Sequence, residues 1–500
     1  MIGKLHLSIQ NLAKLVFSEK LIRFVGYLIN LSLLFYLAYQ FKLEHGTRLP
    51  QLLMIILVAF FIHYWLPGKW KLPFFLGTSF IAILAIIGFS SGCYLILVGL
   101  LLISLCHLPI AYKKRLGIIT IVVTILILIR INFIQNVEFS IIIPFIGSMF
   151  MLRLMLYLYD LKYLDNHDNS LKRLSYFFML PNVCFPLFPL IDYKVYMSSY
   201  HTDPDVEHYN LALRRIFRGV IHLLTYKFIY LLVIPDTADI ESIYDLITFM
   251  VFSYTLVLRL TGMFHLVLGI LGLFGFNLPP IFNNIFFASG FNDLWRRVNI
   301  YWREALIKLV YFPVYFALKR TYRSHAVVLA IIAVFAFNWF LHGYQLLWMT
   351  GYFPFIPNDI LFWFLIGMGV MVNTIYLKNR LNKKREETRR SEMFLVLKTM
   401  VMFIFMCFMW MLWSSSSLTE FVYLLTFVTK GTLIDFGIII LGCFTKIVIC
   451  YALLISYKRG LLKKLISIYQ QRIITTHSLI SLVLVGFTFQ SFVMPAIDDI

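Results

Sequence analysis

Charged residues are scarce in this chain: only 14% of its 500 residues are Asp, Glu, Lys or Arg. Hydrophobic residues make up 61%, whereas about half or fewer are apolar in a typical soluble domain. The mean hydropathy is +0.84, and many apolar runs exceed about 18 residues, the length at which an α-helix spans a hydrocarbon core. A soluble enzyme is therefore excluded, and continuous rather than alternating runs argue against a transmembrane β-barrel. The sequence predicts an all-α, polytopic integral membrane protein.

Acidic residues are also few, 24 against 44 basic ones, which gives a formal net charge of +20. In a soluble chain this excess would indicate a nucleic-acid partner. Here the basic clusters lie at every second connection between apolar runs, as the positive-inside rule requires, so no nucleic acid is expected. The pattern predicts a multi-pass protein of the inner or plasma membrane, with a cytoplasmic N-terminus and an external C-terminus. The first residues carry charge and no A-x-A-type cleavage site, so no removable signal peptide is predicted.

Motifs for metal binding, nucleotide binding and hydrolysis are missing. The six cysteines form no C-x-x-C pair, all but Cys93 lie inside apolar stretches, and they are interpreted as buried free thiols. His201 and His208 lie in a segment with metal-ligand residue types, but Pro204 favours a solvated loop, so no metal is predicted. No G-x-S-x-G motif supports a Ser-His-Asp hydrolase. Glycines 269, 272 and 275 recur at every third residue without a preceding strand, which favours close helix packing over phosphate binding.

The apolar runs predict about thirteen membrane-spanning helices plus re-entrant segments. We divide the chain into an N-terminal transmembrane bundle (1–173), a core with re-entrant segments (174–430) and C-terminal transmembrane helices (431–500).

Two segments of the core are unsuited to a simple crossing. Tyr176–Tyr193 contains Pro181, Pro186 and Pro189 and cannot form one smooth helix. It is predicted to be re-entrant, with an interfacial loop as the alternative. The run 305–318 is too short to cross and is predicted to be re-entrant or interfacial. Later in the core, residues 354–359 are predicted to form an external loop.

Chemistry-bearing residues concentrate between residues 274 and 348. His342 lies well inside an apolar run, where an ionisable residue is a functional candidate, although it can also simply bond to a neighbouring helix. Histidine is suited to taking a proton from a hydroxyl near neutral pH, and the amide of Asn299 can stabilise developing charge. Arg296, Arg297 and Arg303 can bind the phosphates of an acyl donor, or they only mark the cytoplasmic interface.

These residues belong to an ordered set of motifs. The chain reads LFGFNLPPIFN at 273–283, DLWRRVNI at 293–300, YFP at 311–313 and LHG at 341–343. The set resembles the membrane-bound O-acyltransferase family, in particular its bacterial alginate O-acetyltransferase branch.

The resemblance implies that His342 is the catalytic histidine of a tunnel through the membrane. It implies that Asn299 is the second family-typical polar residue. Trp295 is expected to bind the donor together with the three arginines. This chain departs from the branch at Asn299, where the branch has histidine, and at Val298, where it has tryptophan. The branch's F-D-F-S-G-Y-S-D segment reads LRLTGMFH at 258–265, without either aspartate, so the acceptor is expected to differ from alginate.

The expected function is transfer of an acyl group, most simply acetyl, from a thioester donor such as acyl-CoA. The acceptor would be a hydroxyl of a cell-envelope glycan or glycolipid. No bound cofactor or metal is expected; the expected partners are membrane lipid, the acyl donor, the acceptor and proteins of envelope biosynthesis. The alternatives are a transporter or flippase of lipid-linked glycans, in which His342 would line the pathway, and a catalytically silent scaffold of the same fold. Transporters often contain paired repeats, and none is evident in this sequence.

Overall fold

The structure, a computed structural model, describes residues 2–132, 142, 144–161, 169–185, 190–323, 325–382, 392–458 and 460. Every regular element in these ranges is helical, and the one β feature among them is an isolated bridge between Tyr200 and Phe276. The all-α prediction is therefore confirmed for the described part of the chain.

The α-helices are α1 (Ile2–Gln40), α2 (Leu49–Trp65), α3 (Gly68–Ile87), α4 (Phe89–Cys106), α5 (Tyr112–Asn132), α6 (Met151–Asp160), α7 (Ser170–Phe177), α8 (Tyr193–Ser198), α9 (Val206–Leu232), α10 (Ile243–Thr255), α11 (Val257–Leu273), α12 (Phe291–Arg297), α13 (Ile300–Leu306), α14 (Phe312–Lys319), α15 (Ala326–Thr350), α16 (Pro357–Asn382), α17 (Glu392–Ser414), α18 (Leu418–Thr426) and α19 (Leu433–Lys458). Two π-helical segments occur, Ile146–Phe150 and Ile307–Tyr311, and the 3-10 turns are His45–Thr47, Leu180–Val183, Thr237–Asp239, Ile285–Phe287 and Phe427–Lys430.

Seven helical segments in the described ranges are long and apolar enough to cross a membrane. They are Glu19–Gln40, Gly68–Ile87, Phe89–Cys106, Ile243–Leu273, Ala326–Thr350, Pro357–Asn379 and Met393–Ser414. An eighth crossing results if Leu418–Lys430 and Leu433–Gly442, bent by 104°, form one span. A membrane protein is thus confirmed. The count of thirteen stays a prediction, because part of it falls on residues such as 474–494 that lie outside the described ranges.

Helices α9 and α11 pack tightly because glycines remove the side chains between them. A Cβ on Gly269 would lie 2.8 Å from the backbone nitrogen of Ile216, and one on Gly272 would lie 2.8 Å from the Cβ of Ala212. The predicted role of these two glycines in helix packing is therefore confirmed. Gly275 follows α11 with φ +97°, and its added Cβ would lie 2.6 Å from the carbonyl oxygen of His201.

The proline-containing segment is broken, as predicted. Helix α7 ends at Phe177, a 3-10 turn covers Leu180–Val183, and α8 begins only at Tyr193. Pro186 and Pro189 lie outside the described residues. Tyr176 is fully buried and donates its hydroxyl to the carbonyl oxygen of Ile191 at 2.7 Å, so the two arms of the segment are tied together inside the protein.

The loop predicted at residues 354–359 is shorter than expected, because its last residues are helical; its external side stays a prediction. Helix α16 begins at Pro357, and Asn358 is only 1% exposed. Its side-chain amide donates to the carbonyl oxygens of Leu412 at 3.1 Å and Ser415 at 2.8 Å, at the end of α17. The end of a neighbouring helix therefore supplies the acceptors for this side chain.

The buried side chains form two large clusters. The first cluster contains residues of every helix from α1 through α9 and of α11. The second contains residues of α10, of α13 and of the helices from α15 through α18. The predicted domain boundaries stay a prediction. The second cluster surrounds the cavity described next.

Candidate active site

A cavity of about 290 Å³ lies among α10 to α13 and α15 to α17. Its wall is mainly apolar and rich in indole rings, from Trp295, Trp302, Trp363, Trp410 and Trp413. The polar side chains at the wall are Asn299, Arg303, Asn338, His342 and Gln345, with Tyr254 contributing a phenol. A mostly apolar cavity with a few convergent polar groups is the usual form of a small-molecule site.

His342 lies on α15 at the wall of this cavity. Its ring stacks on Trp363, with centroids 4.7 Å apart and planes inclined by 19°, and Trp302 lies on another side at 5.8 Å. The ring makes no hydrogen bond to any described residue. The alternative in which His342 serves only to bond a neighbouring helix therefore has no support in the described part of the chain. Both ring nitrogens are therefore without a hydrogen-bond partner among the described residues of this cavity wall.

Asn299 reaches the same cavity, so the structure brings the two predicted catalytic residues together. It also has a local task that the sequence analysis missed. Its backbone is left-handed (φ 34°, ψ 68°), and its Oδ1 accepts from the backbone N–H of Trp302 at 3.3 Å, which caps α13. Asparagine tolerates the left-handed region and is a preferred N-cap residue.

Trp295 and Arg303, two of the predicted donor-binding residues, line the cavity. Trp295 packs on Phe335 with ring centroids 4.7 Å apart. The Arg303 side chain is 16% exposed, donates from Nη1 to the carbonyl oxygen of Arg296 at 2.9 Å and pairs through Nη2 with Glu304. Its Nε is buried without a partner. Arg303 therefore places a cation at the cavity wall.

Arg296 and Arg297 do not line the cavity. Arg297 forms an ion pair with Asp293 at 3.0 Å and donates to the carbonyl oxygen of Asn283 at 3.1 Å, which holds the preceding loop. Arg296 is 69% exposed and lies 3.8 Å from Asp293. Burial alone would raise the pKa of Asp293, but the N–H of Ser289 and the charge of Arg297 hold it below its ordinary value. Asp293 thus orders these two arginines at the edge of the site.

Asn338, which is not among the residues predicted from the sequence, is fully buried at the cavity wall. Trp302 Nε1 donates to Asn338 Oδ1 at 2.6 Å, while Asn338 Nδ2 has no partner. Trp363 Nε1 is likewise buried without a partner. The available signal was spacing, because Asn338 precedes His342 by four residues and the two therefore share one face of a helix.

The segment 258–265, which departs from the acyltransferase pattern, turns its charged residues away from the cavity. Leu260 and Phe264 line the wall. Arg259 instead pairs with Glu44 at 2.7 and 2.9 Å, and His265 faces His222 with ring centroids 5.4 Å apart. This part of the wall is therefore apolar in this chain.

An ion cluster connects the core to the preceding segments. The Lys308 ammonium contacts the carboxylates of both Asp160 and Asp192. Asp160 closes α6 and Asp192 precedes α8, so one lysine of the π-helical segment joins three parts of the chain. Sequence reasoning missed the cluster because its members are far apart in the chain.

His201 lies before α9, whereas His208 lies in the first turn of that helix, so the predicted solvated loop ends before His208. The rings of His201 and His208 lie 5.6 Å apart, and His208 Nε2 lies 2.9 Å from the carbonyl oxygen of Gly272. Within the described ranges, no group of three or more His, Cys, Asp or Glu side chains is arranged to hold a metal ion.

The cavity thus combines a histidine with unengaged ring nitrogens, unpartnered hydrogen-bond donors, one arginine and a broad apolar wall. Comparison with known proteins adds no identity to this description: no protein-family model matches the chain, and no curated protein matches it.

Proposed function

We propose that this protein is a membrane-bound O-acyltransferase in which His342 acts as the general base. The observation that carries the proposal is the environment of His342. It is a histidine in a helix apolar enough to cross a membrane, it lines a largely apolar cavity, and no described residue bonds its ring nitrogens. The ordered motifs that resemble the acyltransferase family place the catalytic histidine at the same residue.

The residues present suit a direct transfer. His342 takes the proton of an acceptor hydroxyl while that oxygen attacks the carbonyl carbon of a thioester. The tetrahedral intermediate then collapses, the C–S bond breaks, and the thiolate takes the proton from His342. A general base contributes about 10²–10⁴-fold to such a step. Asn299 is proposed to assist at the same wall.

The wall is mainly apolar and offers few hydrogen-bonding groups, which suits an acyl group better than the hydroxyls of a sugar, so we propose that the acyl end of the donor occupies the cavity. Acetyl is the simplest group. Arg303 lies at the wall, with Arg296 and Arg297 beyond it, and these cations are proposed to bind the phosphates of acyl-CoA outside the cavity. No resident cofactor is needed for this chemistry.

The acceptor is proposed to be a glycan or glycolipid of the cell envelope. The basic loops support a plasma-membrane protein with a cytoplasmic N-terminus and an external C-terminus, so the donor would enter from the cytoplasm. The acceptor would then approach from the other side. Proteins of polysaccharide O-acetylation or envelope assembly are the proposed partners.

The test uses purified full-length protein in nanodiscs, supplied with acyl-CoA from acetyl to long chains and with envelope glycolipid from the source cells. Release of free thiol is measured with a thiol reagent, and the acylated acceptor is identified by mass spectrometry. We expect His342→Ala to lower the rate of thiol release and the rate of acceptor acylation by about 10²–10⁴-fold. His325→Ala is the matched control, since His325 is an exposed histidine at the start of the same helix.

Near-normal transfer by a well-folded His342→Ala protein would contradict the proposal. The flippase alternative predicts a different result, because a flippase moves labelled glycolipid across a vesicle bilayer without releasing any thiol. A silent scaffold would do neither.

A further inference from the structure

The side-chain amide of Asn338 has a fixed orientation. An indole N–H can only donate, so the atom that Trp302 Nε1 meets at 2.6 Å must be the asparagine oxygen. The ambiguity between oxygen and nitrogen that affects many asparagines is therefore resolved by chemistry at this position. Because Oδ1 accepts the hydrogen bond from Trp302, the orientation of the amide is fixed, and Nδ2 is its other end.

The Nδ2 donor is buried and unused. Asn338 is 0% exposed and lines the cavity, and Nδ2 has no hydrogen-bond partner. Leaving a buried donor unsatisfied is costly, and native proteins contain few such groups. A donor that is rigidly held but unpaired at a cavity wall is suited to a partner that arrives with the substrate.

This donor lies beside the proposed base. Asn338 and His342 are one turn apart on α15, which brings their side chains to one face of the helix. Trp302 contacts both residues, since it bonds Asn338 and its ring centroid lies 5.8 Å from that of His342. Both residues therefore line the same cavity from one face of α15.

We infer that Asn338 Nδ2 donates a hydrogen bond to the thioester carbonyl oxygen as that oxygen becomes negatively charged, and that Trp302 is a positioning residue acting through Asn338. The inference rests on the proposed acyl transfer. When the acceptor oxygen bonds to the carbonyl carbon, one electron pair of the C=O bond moves onto oxygen, and the acceptor proton passes to His342. Collapse restores C=O, breaks C–S and returns the proton to the thiolate.

The donor should favour the transition state more than the bound thioester, because the oxygen gains charge only during the reaction. Removing one such donor lowers kcat by about 10²–10³-fold in other acyl-transfer enzymes. The expected signature is therefore a fall in kcat with little change in KM.

The experiment measures thiol release in nanodiscs for wild type, Asn338→Leu and Asn338→Met, two apolar replacements that differ in shape so that at least one packs well. The melting temperature of each protein verifies folding. We expect kcat to fall about 10²–10³-fold in either replacement that folds. Asn292→Leu is the matched control, because Asn292 bonds Thr374 at 3.0 Å and does not line the cavity; its kcat should stay near that of wild type.

Trp302→Phe tests the positioning role. Loss of the indole N–H frees the amide to rotate, so we expect kcat to fall less than in Asn338→Leu. The Trp302→Phe/Asn338→Leu double variant should be no slower than Asn338→Leu alone, since residues that act through one another are not additive. Additive losses would overturn the positioning role.

A wild-type kcat in folded Asn338→Leu and Asn338→Met, or a rise in KM alone, would overturn the assignment of the donor. The assignment would also be overturned if Trp363→Phe lost much of its kcat while the Asn338 variants kept theirs. The oxyanion would then be bound by Trp363 Nε1. If wild type itself releases no more thiol than His342→Ala, the proposed function fails first. The two failures are therefore distinguishable.

Discussion

His342 lies face to face with Trp363, with ring centroids 4.7 Å apart and an angle of 19° between the planes. The contact covers one face of the imidazole and limits its rotation, while the ring nitrogens have no hydrogen-bond partner among the described residues. Trp363 lies on α16 and His342 on α15, so the geometry of the base depends on how these two helices pack.

Replacing Trp363 with a smaller side chain should lower the rate of acyl transfer, because the His342 ring would be held less firmly. An aromatic pair contributes about 0.5–1.5 kcal/mol beyond its buried area, so Trp363→Leu is expected to lower kcat up to roughly tenfold. Trp363→Phe keeps an aromatic face and should retain most of the rate. The kcat for thiol release in nanodiscs measures both, and equal rates for Phe and Leu would show that stacking is unimportant.

Asn299 combines a cap with a proposed catalytic role, and two substitutions separate them. Asn299→Ala should destabilise the protein by about 1 kcal/mol through loss of the cap, and more because alanine strains the left-handed backbone. Asn299→Gly tolerates that backbone and should cost only a few tenths of a kcal/mol. Thermal unfolding in detergent measures the difference.

The transfer rates of Asn299 variants test the proposed catalytic role. We expect Asn299→Ala to weaken transfer less than His342→Ala, and Asn299→His to keep part of the activity, as the resemblance to the alginate branch implies. If Asn299→Gly is stable and has the wild-type rate and acceptor affinity, the residue is structural only.

Removing Lys308 should destabilise the junction between α6, α8 and the core. Asp160 is buried, and without the ammonium two carboxylates would face each other uncompensated. Breaking a buried ion pair from one side costs about 3–5 kcal/mol. Lys308→Met is therefore expected to lower the melting temperature clearly, and adding Asp160→Asn should restore part of it. Lys319→Met, at an exposed lysine on α14, is the control that should have little effect.

The same cluster should make stability depend on pH in two opposite ways. Burial raises the pKa of Asp160, at the end of α6, to about 6 despite its bond from Lys308, so its contribution is lost as pH rises through about 6. Burial would also raise the pKa of Asp192, but Lys308 outweighs it and lowers that pKa below 3.8. The Asp192 contribution is present above pH 3.8 and is lost as pH falls through the lowered pKa.

The cluster should therefore stabilise the protein most near pH 4, and the Asp160 contribution should decline as pH rises from about 4 to about 6. Melting temperatures across this range measure the effect. Asp160→Asn should remove the decline at higher pH, and Asp192→Asn should reduce the decline at lower pH. An unchanged profile in both variants would contradict the assignment.

The direction of transfer depends on which side of the membrane each end of α15 faces. Tyr322 precedes α15 and is 51% exposed, whereas Tyr352 follows it and is 63% exposed. In intact cells, with native cysteines replaced, Tyr352→Cys should react with a membrane-impermeant thiol reagent and Tyr322→Cys should not. The reverse pattern would invert the topology. Asn358, at the predicted external loop, is unsuitable because it is buried.

Local composition was sufficient to predict several features of the fold. Long apolar runs predicted an all-α membrane protein, because a chain in lipid must satisfy its backbone hydrogen bonds internally. Pro181 predicted a break in the segment after α7, since proline cannot continue a helix interior. His342 was identified because an ionisable residue is rare within an apolar run. Each of these depends on residues close in sequence.

The contacts that define the site depend on the tertiary structure. Arg303 reaches the cavity while Arg296 does not, although both belong to one basic stretch. Trp302 fixes the Asn338 amide from 36 positions away, and Lys308 meets Asp160 across 148 positions. No local pattern encodes such pairs, because they form only when distant helices pack at a particular rotation. The sequence alone therefore determined the membrane class and the candidate base, and helix packing decided which donors and cations surround it.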